Sequence, residues 1–227
     1  MKLYGIVTSP FVRHCRIALI QGNLDWEFIT GDMAQLAQES PVHKLPYLVD
    51  GDRVLSDSCS ILKFARERAG REFFPDVDDY DLFCTTNTIA DSVINLFLME
   101  RDGLTPDNSP YLGRQAHRIV SGLSALDARV GPGDFVLTDG ILRTACFLNW
   151  ALFRNRVDIS SLANLQSVLE FAERDPVFTS TAIPEELSKR NDVGRGGDCR
   201  SRPLSDRGPV QRAATVGSRP NPGSAGR

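Results

Sequence analysis

The sequence lacks closely spaced cysteine pairs and any cluster of cysteine with histidine. Its five cysteines form an odd, scattered set among 227 residues: Cys15, Cys59, Cys84, Cys146 and Cys199. Such a set predicts neither a disulfide framework nor a metal site, and it favours a reducing cytoplasm.

Long apolar runs and a basic body are also missing. No stretch has eighteen uninterrupted apolar residues, so no membrane span is expected, and the first residues carry a strand pattern without a signal-peptide core. The formal net charge is −3; residues 188–227 hold nine Lys/Arg and three Asp, a net of +6, which leaves residues 1–187 at −9. An acidic body does not favour nucleic-acid binding.

The length allows one large domain or two small ones, and the composition predicts a boundary near residue 75. We predict an α/β domain at 1–75, an all-helical domain at 76–187 and a tail at 188–227. The tail has no aromatic residue and seven glycines, so we expect it to be disordered. It is either a solvated appendage or a basic arm for nucleic acid or acidic partners.

Within the first segment, alternating apolar residues predict short strands, and wider apolar spacing predicts helices. The predicted strands lie at 2–7, 26–30, 47–49 and 53–55, and the predicted helices run from 11 to about 22 and from about 58 to 70. A strand–helix–strand unit predicts two parallel strands. The Asp50-Gly51 turn predicts a hairpin that adds an antiparallel edge.

A Ser-Pro pair stands where the first strand gives way to the first helix. Ser9 suits the N-cap and Pro10 the first helical position, because proline lacks only an N–H that would be unpaired there. A hydroxyl at the positive end of a helix would stabilise a thiolate or carboxylate. The alternative is that Ser9 is a cap and nothing more.

Three short pieces carry a resemblance to a known family. They are Ser9-Pro10-Phe11-Val12-Arg13, Lys44-Leu45-Pro46 and Asp57-Ser58 with Ile61. In this order and spacing the chain resembles the N-terminal domain of the cytosolic glutathione S-transferase superfamily, in its serine-type, bacterial-like form. The resemblance implies a thioredoxin-like fold for the first domain and an all-α bundle for the second. It implies glutathione as co-substrate, with no cofactor and no metal.

The resemblance also implies roles at the centre of the site. Ser9 would donate a hydrogen bond to the glutathione sulfur. Pro46 would follow a cis peptide bond, so that the backbone of Leu45 pairs with the cysteinyl part of glutathione. The alternatives are a simple cap at Ser9 and a trans proline that starts a strand.

The ends of glutathione would meet charged and polar groups. By the same resemblance Lys44 meets the glycyl carboxylate, and Asp57 and Ser58 hold the γ-glutamyl group. The alternatives are a solvated lysine and an ordinary helix cap.

Some residues depart from the family pattern. His43 stands where glycine is frequent, and Cys59 stands where small residues or proline are frequent. Val12, three residues after Ser9, leaves no Cys-x-x-Cys dithiol, which disfavours disulfide chemistry. Cys15 is expected to be buried rather than reactive.

The second segment shows helical spacing, with predicted helices at 81–101, 111–130, 134–152 and 160–174. In the third of these, Asp139 matches the acid of the family's Ser/Thr-x-x-Asp capping element, but Val136 stands at the cap hydroxyl. The candidate walls of a second-substrate pocket are Phe97, Met99, Glu100, Tyr111 and Trp150; the alternative is that they belong to the core.

The sequence therefore favours a cytoplasmic, homodimeric glutathione transferase that conjugates the glutathione thiolate to an electrophilic small molecule in detoxification. No membrane or nucleic-acid partner is expected. The alternatives are a non-catalytic scaffold of the same fold that binds protein partners, and a glutathione-dependent isomerase.

Overall fold

A computed structural model describes residues 1–184, 186 and 187; the predicted tail at 188–227 lies outside the described residues. The strands are β1 (Lys2–Tyr4), β2 (Glu27–Ile29), β3 (Tyr47–Asp50) and β4 (Arg53–Leu55). The helices are α1 (Pro10–Gln21), α2 (Met33–Glu39), α3 (Ser58–Arg68), α4 (Val77–Arg101), α5 (Pro110–Val130), α6 (Asp139–Phe153), α7 (Ala163–Ala172) and α8 (Pro176–Ser180).

The four strands described form one mixed sheet in the order β2-β1-β3-β4. β1 and β2 are parallel, as expected for two strands joined through α1, and β3 and β4 form the expected antiparallel hairpin. The hairpin joins the sheet through β3, which pairs antiparallel with β1 in the register Tyr4↔Tyr47. The thioredoxin-like α/β domain predicted for the first part of the chain is confirmed.

The rest of the described chain is helical, which confirms the all-α prediction for the second domain. α6 packs against α1, α4 and α7, and its residues are buried on most faces. α4 is long and apolar enough by composition alone to cross a membrane. Much of its apolar surface, including Phe83, Ile89 and Val93, is buried within the protein, as in a core helix.

The start of α6 differs from the prediction. The N-cap is Thr138, whose hydroxyl accepts a bond from Ile141 N at 3.3 Å, whereas Val136 is 74% exposed and takes no part in the cap. Asp79 of α4 adds a carboxylate that accepts from Gly140 N at 3.1 Å and from the Thr138 hydroxyl. The interpretation of Val136 as a missing cap was therefore wrong, because the helix begins two residues later than that alignment requires.

Candidate active site

Ser9 begins α1 at the end of the sheet where β1 terminates. Its backbone is extended and its Oγ accepts a hydrogen bond from Val12 N at 3.3 Å, with Pro10 as the first helical residue. A Cβ at Gly5 would lie 2.5 Å from a Val12 methyl group, so the backbone entering this turn passes close to the helix. In this cap the oxygen of the Ser9 hydroxyl is the acceptor. The hydroxyl hydrogen therefore remains able to donate to a ligand.

Lys44, Leu45 and Pro46 lie between α2 and β3. The Leu45–Pro46 peptide bond is cis, as the resemblance implies, and Pro46 is buried. Lys44 is exposed. His43, at the position where the family often has glycine, has a φ of 51°, which is the left-handed region that glycine adopts most easily.

Asp57 and Ser58 form the N-terminus of α3. Asp57 is the N-cap, with its carboxylate accepting from Cys59 N at 2.7 Å, and it is exposed to solvent. Ser58 is 8% exposed, and its carbonyl lies 3.8 Å from Cys15 Sγ on α1. The cap observed at Asp57 is compatible with ligand binding, because a carboxylate can accept several hydrogen bonds.

The sheet register brings these three pieces to one end of the domain. Tyr4 at the end of β1 pairs with Tyr47 at the start of β3, and their rings stack at a centroid distance of 4.3 Å. Leu55 at the end of β4 pairs with Leu48 near the start of β3. The segments containing Ser9, Lys44–Pro46 and Asp57–Ser58 therefore adjoin the sheet at the same end of its strands (the site edge). Two helix N-termini, those of α1 and α3, open there, which favours an anionic ligand.

Charged residues of the second domain reach this edge. Arg143 of α6 is fully buried, and its Nη2 donates to Ser58 Oγ at 3.2 Å. Partial burial raises the pKa of Asp91 on α4, while the positive charges of Lys44 and Arg143 act in the opposite direction. Sequence analysis missed both residues. The signal for Arg143 is a single cation within the most apolar helix of the chain.

The thiols near this edge are held in the neutral form. Burial raises the pKa of Cys15 to about 12 and that of Cys59 to about 11. The burial expected for Cys15 is confirmed, and the free thiols among the described residues form no disulfide. The nucleophilic sulfur at this site would therefore have to come from a ligand rather than from these cysteines.

A second polar cluster joins α1 and α3 to α6. Arg66 donates hydrogen bonds to the Asp139 carboxylate from Nε at 3.0 Å and from Nη2 at 2.6 Å. His14 Nε2 lies 3.0 Å from Asp139 Oδ1. Burial lowers the pKa of His14 to about 4, more than its hydrogen bond to Asp139 raises it. Burial also opposes ionisation of Asp139, but the bonds from His14 and Arg66 outweigh it and hold the pKa well below its usual range. The cluster thus fixes the position of α6 against the first domain.

Most of the residues predicted to form the walls of a second-substrate pocket lie in the helical core or in an ion pair instead. Trp150 is buried in the helical core, with the Phe97 ring edge-on at 6.1 Å, and Met99 packs against the same core. Glu100 pairs with Arg156. Tyr111 is exposed at the start of α5.

Among the described residues, no group of three His, Cys, Asp or Glu side chains is arranged to hold a metal ion. The features at the candidate site are two open helix N-termini, a serine hydroxyl and a buried guanidinium. Together with the cis-proline loop these features lie where the thioredoxin-like domain meets the all-α domain.

Comparison with known proteins finds similarity to glutathione S-transferases. Residues 3–73 match the family model described as glutathione S-transferase, N-terminal domain. The chain is 38% identical over 72 residues to glutathione S-transferase U7 of Arabidopsis thaliana, covering 30% of this chain and 32% of that protein. It is 26% identical over 208 residues to a zeta-class glutathione S-transferase of Euphorbia esula, covering 82% and 91%. The chain spans about a third of the length of the first curated relatives it matches.

Solved structures share the whole two-domain fold. A glutathione S-transferase of Methylobacillus flagellatus with bound glutathione has a TM-score of 0.72 at 17% identity, over 81% of this chain and 99% of that one. A maleylacetoacetate isomerase of Anaeromyxobacter dehalogenans, with glutathione in its active site, has a TM-score of 0.62 at 20% identity, over 79% and 93%. The first domain thus matches the N-terminal domain of glutathione S-transferases, and the described chain shares the two-domain fold of these solved structures.

Proposed function

We propose that this protein is a serine-type glutathione transferase. The Ser9 hydroxyl donates to the sulfur of bound glutathione, and the resulting thiolate attacks an electrophilic carbon or another centre that carries a leaving group. The observation that carries the proposal is the convergence of the Ser9 cap, the cis Leu45–Pro46 bond and the Asp57-Ser58 cap at one edge of the sheet. We also propose a cytoplasmic homodimer that acts in detoxification.

The thiolate is the part of the reaction that the site has to favour. A free thiol with a pKa of about 8.5 is only about 3% ionised at pH 7, and a pKa lowered by about 2 units raises this to roughly 75%. The hydroxyl of Ser9 and the open N-terminus of α1 supply a hydrogen bond and a positive partial charge for that shift. No dedicated general base is then required at neutral pH.

The remaining groups are assigned to the ends of glutathione. Lys44 faces the glycyl carboxylate, and the backbone of Leu45 pairs with the cysteinyl unit. Asp57 accepts from the α-amino group, and Ser58 donates to the α-carboxylate through its hydroxyl and N–H. The chemistry of each group suits its partner, since an ammonium and a helix N-terminus bind carboxylates, and a carboxylate binds an ammonium.

Calorimetry with glutathione tests the proposal, together with a titration of thiolate absorbance measured as the difference between the complex and the free protein. Glutathione should bind the parent with a lowered thiol pKa, and Ser58→Ala should bind at least tenfold more weakly. Ser9→Ala should bind glutathione without lowering its thiol pKa.

The chain supplies a matched control for Ser9. Ser109 is also an N-cap followed by proline, and its Oγ accepts from Leu112 N at 3.4 Å. Ser109→Ala therefore removes a comparable cap at the start of α5 and should leave the thiol pKa of bound glutathione as in the parent. Equal thiol pKa values in Ser9→Ala and the parent would refute the role assigned to Ser9.

A glutathione-dependent isomerase is the second candidate, favoured by the fold shared with the maleylacetoacetate isomerase and by the zeta-class relative. The two reactions differ in thiol balance: conjugation consumes one thiol per turnover, whereas isomerisation returns it. Following maleylacetoacetate conversion and free thiol together separates them. A folded parent that binds no glutathione would instead favour a non-catalytic scaffold that binds protein partners.

A further inference from the structure

Arg143 is a buried cation at the meeting point of α1, α3, α4 and α6. It is 0% exposed and lies in the middle of α6 among apolar residues. Its guanidinium stands 4.8 Å from the centre of the Phe11 ring and 4.6 Å from that of Phe83. Nη2 donates to Ser58 Oγ at 3.2 Å, whereas Nε and Nη1 have no hydrogen-bond partner within the described part of the chain.

Arg143 has no ion-pair partner among the described residues, and the carboxylates of Asp57 and Asp91 interact with its charge only at longer range. Burial lowers its pKa, but arginine stays protonated in proteins. The nearby thiols Cys15, Cys59 and Cys146 are neutral, because burial raises the pKa of each to about 11 or 12. Across residues 1–184 no carboxylate forms an ion pair with Arg143. An unpaired buried charge is unfavourable, so an anion that approaches it is stabilised.

Among the described residues, the hydrogen bond that Arg143 makes is to Ser58, which links the guanidinium to the surface of the site. The Ser58 oxygen accepts from the guanidinium, so its own hydrogen has to point elsewhere. Ser58 is the first residue of α3, where backbone N–H groups also lack helical partners. A hydroxyl polarised by a cation on one side is a stronger donor on the other.

We propose that Arg143 is a positioning residue for the α-carboxylate of the ligand's γ-glutamyl group. It orients the Ser58 hydroxyl outward, and it supplies from the second domain the positive charge that the carboxylate needs. This inference rests on the proposed function, since it takes glutathione as the ligand. It adds a specificity determinant that acts through Ser58 and does not touch the reacting sulfur.

A cycle of two ligands and two proteins tests the proposal. The ligands are glutathione and γ-aminobutyryl-cysteinyl-glycine, which lacks only the α-carboxylate. In calorimetry Arg143→Met should bind glutathione about tenfold to a hundredfold more weakly than the parent does. The affinity of the same variant for the analogue should stay within about twofold of the parent's. If Arg143 had a merely structural role, its replacement would weaken the binding of both ligands equally, and that result would overturn the proposal.

Two further variants complete the design. Arg13→Met is the control, because Arg13 is also a buried guanidinium but bonds to Asn149 and the Phe178 carbonyl rather than to Ser58. It should keep the parent's preference for glutathione over the analogue. Arg143→Lys keeps a buried cation and replaces Arg143→Met if that variant does not fold. It should lose glutathione affinity several-fold with the analogue unaffected, and equal weakening again refutes the inference.

The two proposals fail in different ways. A folded parent that does not bind glutathione would refute the proposed function, and the role of Arg143 with it. A parent that binds glutathione while the Arg143 variants discriminate between the two ligands as well as the parent does would refute only the role of Arg143.

Discussion

Asp139 is the residue whose replacement should destabilise the protein most clearly. Its carboxylate is 9% exposed and is held in two places by Arg66, which is 5% exposed, and in a third by His14. Arg66 belongs to α3, His14 to α1 and Asp139 to α6. Replacing Asp139 with asparagine removes the negative charge and keeps nearly the same shape.

The expected loss follows from what Asp139→Asn leaves behind. Removing one partner of a buried ion pair costs about 3–5 kcal/mol, because the remaining charge stays buried without compensation. The asparagine oxygen still accepts one bond from Arg66, and Gln21 accepts another from Arg66 Nη1 at 2.9 Å. We therefore expect the lower end, about 3 kcal/mol of unfolding free energy, which is a large share of the roughly 5–15 kcal/mol typical of a folded protein.

Urea unfolding at pH 7 followed by circular dichroism measures this loss. Asp50→Asn is the control, since Asp50 pairs with Arg68 at 2.7 Å but the arginine is 53% exposed. An exposed pair contributes about 1 kcal/mol or less. If Asp139→Asn loses no more stability than Asp50→Asn, the argument that the buried cluster holds the two domains together is refuted.

Two further predictions concern the same junction. The protein should lose stability as the pH falls from about 6.5 towards 4, because the folded His14 has a pKa of about 4, below the unfolded value of about 6.5, so the unfolded chain binds the proton first. At pH 5 the loss of unfolding free energy from His14 is about 2 kcal/mol. His14→Gln should therefore flatten the pH dependence of the urea midpoint. If the midpoint of the variant changes with pH as steeply as the parent's, His14 is not the cause. Thr138→Ala should lower the unfolding free energy by about 1 kcal/mol through loss of the α6 cap, whereas Val136→Thr should leave it unchanged; thermal or urea unfolding that ranks them in the opposite order contradicts the observed cap.

Features set by neighbouring residues were predictable from the sequence. The Ser9-Pro10 cap, the Asp50-Gly51 hairpin and the start of α3 depend on the local pattern, and the structure confirms each. The helix predicted at 160–174 ends just before Asp175-Pro176. In the structure this pair begins α8, with Asp175 Oδ1 accepting from Val177 N at 2.9 Å. An Asp-Pro pair can follow the end of one helix and begin the next. The local pattern indicated only the end of the first helix, so α8 was not predicted.

Features set by distant residues were not predictable. The cation at position 143 is visible as a charge in an apolar helix, but its partner Ser58 lies 85 residues earlier. Asp139 was assigned to a capping element, while its carboxylate in fact binds Arg66, 73 residues earlier. Neither pairing leaves a local pattern, because each depends on how α6 packs against the first domain.

Two of the polar contacts that α6 makes with the first domain have a consequence for cooperativity. If the two domains separated, Asp139 and Arg66 would lose each other, and Arg143 would lose Ser58. Each half would then expose apolar surface together with polar groups that had been satisfied across the boundary. We therefore expect the thioredoxin-like and helical parts to unfold together as one cooperative unit despite their separate architectures.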